Sequence, residues 1–165
     1  FCSSQPASAI VMFEDANLEA EIRDALGLGS KGELICGLLE TVTTLTAAHA
    51  GIASLAGIEN LTRLTVLQIR GNSITDISAL SGLRSLTFLA INENGNITDI
   101  SALSGLTRLT TLDLANNPDL TDIQPLVDNT GLGAGDTVFL RSTSANCADV
   151  AALQARGVTV RSDCP

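Results

Sequence analysis

Few residues in this chain could move a proton, hold a metal or attack a bond. His49 is the only histidine. A triad would need it beside an activated Ser or Cys, yet there is no G-x-S-x-G elbow and the cysteines stand at the chain ends. His49 therefore reads as a surface or turn residue. GLGSKG at 27–32 lacks the G-x-x-x-x-G-K-[ST] spacing and follows a helical pattern, so it reads as a helix stop. GLGAGD at 131–136 imitates a dinucleotide fingerprint but leads into a strand pattern, leaving no helix N-terminus to face a pyrophosphate. Asp76, Asp99 and Asp122 recur once per repeat, too few oxygens per site for calcium, and fit helix capping instead. No catalytic residue, cofactor or metal ligand is expected.

Cys2, Cys36, Cys147 and Cys164 are the only cysteines, and the whole middle of the chain has none. An even number placed only at the ends reads as two terminal staples in an oxidising compartment. Four cysteines allow three connectivities. Cys2 with Cys36 and Cys147 with Cys164 is the expected one, because each pair lies within one terminal segment. A zinc site is the rival, but C-x-x-C is absent and His49 is remote from both pairs. The opening FCSSQPASA has the small, polar character left when a signal peptide or an upstream domain is cut away.

The net charge is -9, with one Lys, Lys31, against 18 acidic residues. That balance gives no footprint for phosphate backbones, so no nucleic-acid partner is expected. The longest apolar run, AIVMF, is far short of the roughly 18 residues that span a bilayer, so no membrane insertion is expected. The chain is 45% hydrophobic yet only 2% aromatic, which leaves a core of Leu, Ile, Val and Ala suited to stacked layers.

The elements that position these residues are periodic. ITDISALSGL stands at 74–83 and again at 97–106. Rows beginning at Val42, Leu64, Leu86 and Leu109 are separated by 22, 22 and 23 residues. The first half of each row follows L-x-x-L-x-L-x-x-N, as in Leu64, Leu67, Ile69 and Asn72, whose L-x-L alternation marks a strand buried on one side. The second half spaces Ile77, Leu80 and Leu83 by three, which suits a short helical or 3₁₀ return segment. Asn72, Asn94 and Asn117 fall at the bend after the strand, where carboxamides can bond rung to rung.

These rows resemble leucine-rich repeats, in particular the roughly 22-residue type of the bacterial internalins and similar surface proteins. The likeness covers about residues 42–126; the first row departs from it, with Ala50 in place of Asn and Ala53-Ser54 in place of Thr-Asp. Upstream, Leu18, Ile22, Ala25 and Leu26 share a helical face, with Asp15 or Asn17 as N-cap and Gly27 as terminator, resembling the helical cap of many bacterial members. Ser30 and Glu33 offer a capping box to a second short helix. Downstream, GDTVFLRST reads as a fifth strand with Val138 and Leu140 inward. CADVAALQARG reads as a helix through Val150 and Leu153 stopped at Gly157, and VTVRSDC as a last strand.

The expected fold is an α/β leucine-rich repeat solenoid. A parallel sheet forms its concave face, with short return segments, a helical N-terminal cap at 1–41, about four rungs at 42–136, and a strand with a helix-strand C-terminal cap at 137–165. Non-leucine strand residues then point outward in columns, with one residue per rung at about 4.8 Å spacing. The third-position column is Thr44, Val66, Phe88, Thr111, Thr137; the fifth is Thr46, Gln68, Ala90, Asp113, Phe139; the seventh is Ala48, Arg70, Asn92, Ala115, Arg141. Two of the four Phe map there, and exposed aromatics flanked by Arg look like interface anchors. The candidate binding residues are Val66, Gln68, Arg70, Phe88, Asn92, Asp113, Phe139 and Arg141. The resemblance implies a non-enzymatic interaction protein, secreted or on the cell surface. It is expected to act as a monomer and to bind a protein, with a glycan second. A rigid spacer or cap of a larger surface protein is the alternative. Ice binding, prompted by Thr43, Thr65, Thr87 and Thr110, ranks last because Val66 and Phe88 break the neighbouring column.

Overall fold

The computed structural model describes residues 2–30, 32–95 and 97–165; Lys31 of the 27–32 stretch and Asn96 of the third row lie outside them. Among the described residues one parallel sheet runs β1 (Thr44–Thr46), β2 (Val66–Gln68), β3 (Phe88–Ala90), β4 (Thr111–Asp113), β5 (Thr137–Leu140) and β6 (Thr159–Ser162), each strand bonded to the next in sequence. Alternation within each strand sets its burial. Leu45, Leu67, Leu89, Leu112 and Val138 stack in register and are buried, while their neighbours face out.

The chain returns beneath the sheet through 3₁₀ turns at Ile58–Asn60, Ser78–Gly82 and Ser101–Leu103 and, on the fourth rung, through the α-helical α3 (Gln124–Asp128). The spacing by three expected for these segments buries Ile77, Leu80 and Leu83. Asp76, Asp99 and Asp122 each accept the backbone N–H two residues on at 2.8 Å, the capping role that their place predicts.

The bend after each strand is held by the ladder of asparagines. Asn72 Nδ2 donates to the Ile69 and Ala47 carbonyls, and its Oδ1 accepts Ile52 N–H from the preceding rung. Asn94 and Asn117 repeat the pattern, with Oδ1 accepting from Ile74 and Gly95. On the fifth rung Thr143 stands in the asparagine slot, and its hydroxyl donates to the Leu140 carbonyl. One position earlier every rung turns left-handed: φ is 57° at His49, 68° at Gly71, 60° at Glu93, 57° at Asn116 and 56° at Ser142. Four of these five are not glycine, so the sharp turn is maintained against a local steric cost of about 1–2 kcal/mol per residue.

At the N-terminal end α1 (Ala16–Ala25) lies against β1 and buries Leu18 and Ile22. Asp15 is its N-cap, accepting Asn17 and Leu18 N–H, and Gly27 ends it at φ 66°. Of the expected helical face, Leu26 is half-buried and Ala25 is exposed. The capping box expected at Ser30 and Glu33 does not form: α2 spans Cys36–Leu39 with Ile35 as N-cap and no side-chain cap. The chain spends the intervening residues on an antiparallel bridge between Ile10 and Ile35 instead of a first helical turn. At the other end α4 (Cys147–Ala155), capped by Asn146, buries Val150 and Leu153 and turns at Gly157 into β6. Disulfides join Cys2 to Cys36 and Cys147 to Cys164, the local pairing expected from sequence.

Candidate functional site

The outward face of the sheet is built by strand alternation alone: once the leucine column faces in, the flanking residues have no other direction to take. Register then fixes who meets whom. Val66 lies opposite Phe88, Gln68 opposite Ala90, Ala90 opposite Asp113, and Asp113 opposite Phe139. Arg70 and Arg141 are exposed, while Val66, Gln68, Phe88, Asp113 and Phe139 are half-buried. The face continues onto β6, where Arg161 lies opposite Phe139. Columns that stop at the fifth strand miss Arg161, although the valine alternation of VTVRS carries the signal for it.

Asn92 departs from the exposed position expected of it and is only 8% exposed. Its Nδ2 donates to Glu93 Oε1 at 3.3 Å, which ties the carboxamide to the left-handed turn residue beside it. Its Oδ1 is buried without a hydrogen-bond partner. A buried polar atom of this kind carries a desolvation cost of about 1–3 kcal/mol, so it is a local weakness of the face.

Asp113 accepts Ala115 N–H at 3.0 Å through Oδ1. Burial pushes its carboxyl above the ordinary carboxylate value; the Ala115 bond opposes that shift and the neighbouring Glu93 charge adds to it. Among the described residues the one ion pair joins Arg23 to Glu19 on α1, so neither Asp113 nor Glu93 is paired with a cation. Sequence reading missed Glu93 because its position is a turn rather than an outward strand site.

The threonine column behaves differently. Thr65, Thr87 and Thr110 donate their hydroxyls to the carbonyls of Thr43, Thr65 and Thr87, at 2.9–3.1 Å. These donors are spent within the sheet. His49 is exposed in its left-handed turn, and its ring lies where a side chain at Gly71 would have to go. Its surroundings fit turn packing.

The family profile described as "Leucine Rich repeats (2 copies)" matches residues 62–105 and 84–128. No curated protein matches the chain. Among solved structures, an internalin (inlF) from Listeria monocytogenes is 31% identical with a TM-score of 0.66, covering 90% of this chain and 56% of its own. An internalin C2 (inlC2) from the same organism is 26% identical with a TM-score of 0.80, covering 96% of this chain and 72% of its own. The functional domain of InlJ from that organism, at 24% identity and a TM-score of 0.50, covers 84% of this chain and 39% of its own, and shares the fold. The chain thus spans little more than half of the first of these relatives.

Proposed function

Because the chain is an internalin-like leucine-rich repeat protein, we propose that it is an interaction module that holds a protein partner against the outward face of its sheet, outside the cell or on its surface. The observation that carries this reading is the placement of Phe88 and Phe139. Apart from Phe13 and the Cys2–Cys36 bridge the core is aliphatic, yet these two aromatics stand half-exposed on the sheet, with Val66 opposite the first and Arg161 opposite the second. A half-exposed ring adds little to the core and supplies a large, rigid contact to a partner. The two disulfides support an extracellular setting.

Crosslinked capture from host-cell surface extract, comparing wild type with the double substitution Phe88→Ala and Arg141→Ala, tests it. Proteins captured by wild type and lost from the variant, with the melting temperature preserved, are the expected result. Identical capture by the two chains would leave the sheet face without a binding role and favour a rigid spacer.

A further inference from the structure

The N-terminal cap carries a second surface, separate from the outward face of the sheet. Among the described residues the exposed large hydrophobics are Ile10 and Met12, at 51% and 80%. Single exposed apolar side chains are ordinary, but these two stand together in AIVMF and alternate with the buried Val11 and Phe13. That alternation marks an extended segment, and one of its edges is taken. Val11 N–H donates to the Leu34 carbonyl and Cys36 N–H to the Ala9 carbonyl, at 2.8 and 2.9 Å, on either side of the antiparallel Ile10–Ile35 bridge. The N–H and C=O groups of the alternate residues, Ile10 and Met12, then point the other way. Among the described residues none of those four groups has a hydrogen-bond partner. We infer that this free edge takes an extended segment of a partner protein, which adds to it as a further strand and sets a Lys or Arg against Glu14 and Glu59.

A cavity of about 310 Å³ runs beside the segment, lined by Ile10, Val11 and Met12 together with the turn at 56–60. Residues 34–36 take no part in its lining, so it lies on the side where the backbone is unpaired. Its charged residues are Glu14 and Glu59, with no Lys or Arg. Neither carboxylate has a cation partner among the described residues. Glu59 is held in place by accepting Gly57 N–H at 2.8 Å. That charge decides between occupants. A second copy paired through the same edge would bring like carboxylates together in chains of net charge -9. A foreign strand that alternates apolar and basic residues meets every feature at once. Its apolar side chains lie beside Ile10 and Met12, its cations reach the carboxylates, and its main chain bonds the unpaired groups. The edge is also fixed in advance: the Phe13 ring lies against Gly57, and Cys36 is bridged to Cys2. Little freedom is therefore lost when a strand adds.

The probe is N-acetyl-Val-Lys-Val-Lys-Val-amide, titrated into the full chain and followed by backbone amide resonances and hydrogen exchange. Exchange should slow at the Ile10 and Met12 N–H groups, while Val11 N–H, already bonded, changes little. Two N-methylated isomers, one methylated at both Lys and one at the three Val, block opposite edges of the peptide. One should bind like the parent and the other about tenfold more weakly. A peptide with Glu in place of Lys should also bind about tenfold more weakly, and Glu14→Gln with Glu59→Gln should narrow that difference to about twofold. Ile10→Thr with Met12→Thr, at exposed positions whose change spares the core, should weaken the parent peptide about tenfold. Equal binding of the two N-methylated isomers would overturn the inference, because the contact would then not be a strand edge. Shifts confined to the outward face of the sheet, or none at all, would overturn it as well. So would a dimer in sedimentation equilibrium that dissociates in the Thr variant, by showing that the edge belongs to a second copy.

Discussion

The two ends of the molecule solve one problem in different ways. A stack of rungs ends in an open layer of leucines, and each end must be covered. At the N-terminal end the cover is laid across the stack and adds no strand to the sheet. Its attachments are side chains: Asp15 Oδ2 accepts Ala53 and Ser54 N–H of the first rung, Asn60 Oδ1 accepts Cys2 N–H, and the Phe13 ring fills the space above Gly57. At the C-terminal end the cover prolongs the sheet through β5 and β6, and Arg156 ties it down by donating to the carbonyls of Val127, Asn129 and Leu132. The disulfides follow suit. Cys2 and Cys36, at 2% and 1% exposure, belong to the core, whereas Cys147 is exposed and Cys164 half-buried. A cap made by crossing relies on a few specific polar bonds and a buried bridge. One made by continuation inherits the ladder.

The largest expected effect separates the bridges. Their sequence separations are 34 and 17 residues, which the chain-entropy relation converts to roughly 4 and 3 kcal/mol. Cys2→Ala with Cys36→Ala should exceed its share, because it also removes packed sulfur from the core. Cys147→Ala with Cys164→Ala should fall below its share, because β6 remains bonded to β5. Denaturant unfolding gives both values, and equal losses would break the comparison. Under native conditions dithiothreitol should open the exposed Cys147–Cys164 bridge first, which mass mapping of alkylated peptides would read directly.

Next comes the middle as a reference. Leu89→Ala removes a side chain buried between β2 and β4 and should cost about 2–5 kcal/mol in a single melting transition. A variant melting within a degree of wild type would mean that the strand phase is wrong. Arg156→Ala should then cost about 2–3 kcal/mol, since three carbonyls lose a charged donor. Arg156→Lys should recover less than half of that, because an ammonium cannot span the three acceptors as a guanidinium fork does. Hydrogen exchange should show the opening confined to α4 and β6 if the clamp acts locally.

What the sequence made legible was whatever repeats. The strand phase, the asparagine ladder and the aspartate caps can be read because several rows state each rule independently, and a column of Leu67, Leu89 and Leu112 leaves no freedom of phase. The terminal bridges could be read for a different reason, the segregation of the cysteines. Features stated only once were missed. Arg156 and Asn60 act through contacts 24–29 and 58 residues away, which no local pattern encodes. The left-handed turn was missed because His49, Glu93, Asn116 and Ser142 share a conformation but no chemistry. On the outward face the columns were legible, but the burial of Asn92 was not, since Arg70 and Arg141 in the same column are exposed and no other row states it.

The smallest effect tests the crossing cap at its key contact. Asp15 gathers four backbone N–H groups: Asn17 and Leu18 of its own helix on Oδ1, and Ala53 and Ser54 of the first rung on Oδ2. It thereby supplies from the cap the carboxylate that the first row lacks, where Ser54 stands in the place of Asp76. Partial burial pushes its carboxyl up, but the four bonds together outweigh burial and hold it below the ordinary carboxylate value. A carboxyl lowered in the folded state contributes its stability in full above its unfolded value, and that contribution is lost as pH falls through the folded one. Asp15→Ala should therefore cost about 1–2 kcal/mol near neutral pH. Its difference from wild type should shrink between about pH 4 and pH 2. Asp76 and Asp99 are lowered as well, by the N–H and hydroxyl of Ser78 and of Ser101, but they lie exposed and act within single rungs. The Arg156 clamp holds the C-terminal cap through three backbone carbonyls with no carboxylate in it, so acid should loosen the N-terminal cap before the C-terminal one. Thermal melts of wild type and variant at several pH values, with hydrogen exchange resolving the two ends, would check this; a difference that stays constant down to about pH 2 would show that the Asp15 charge is not what joins cap to stack.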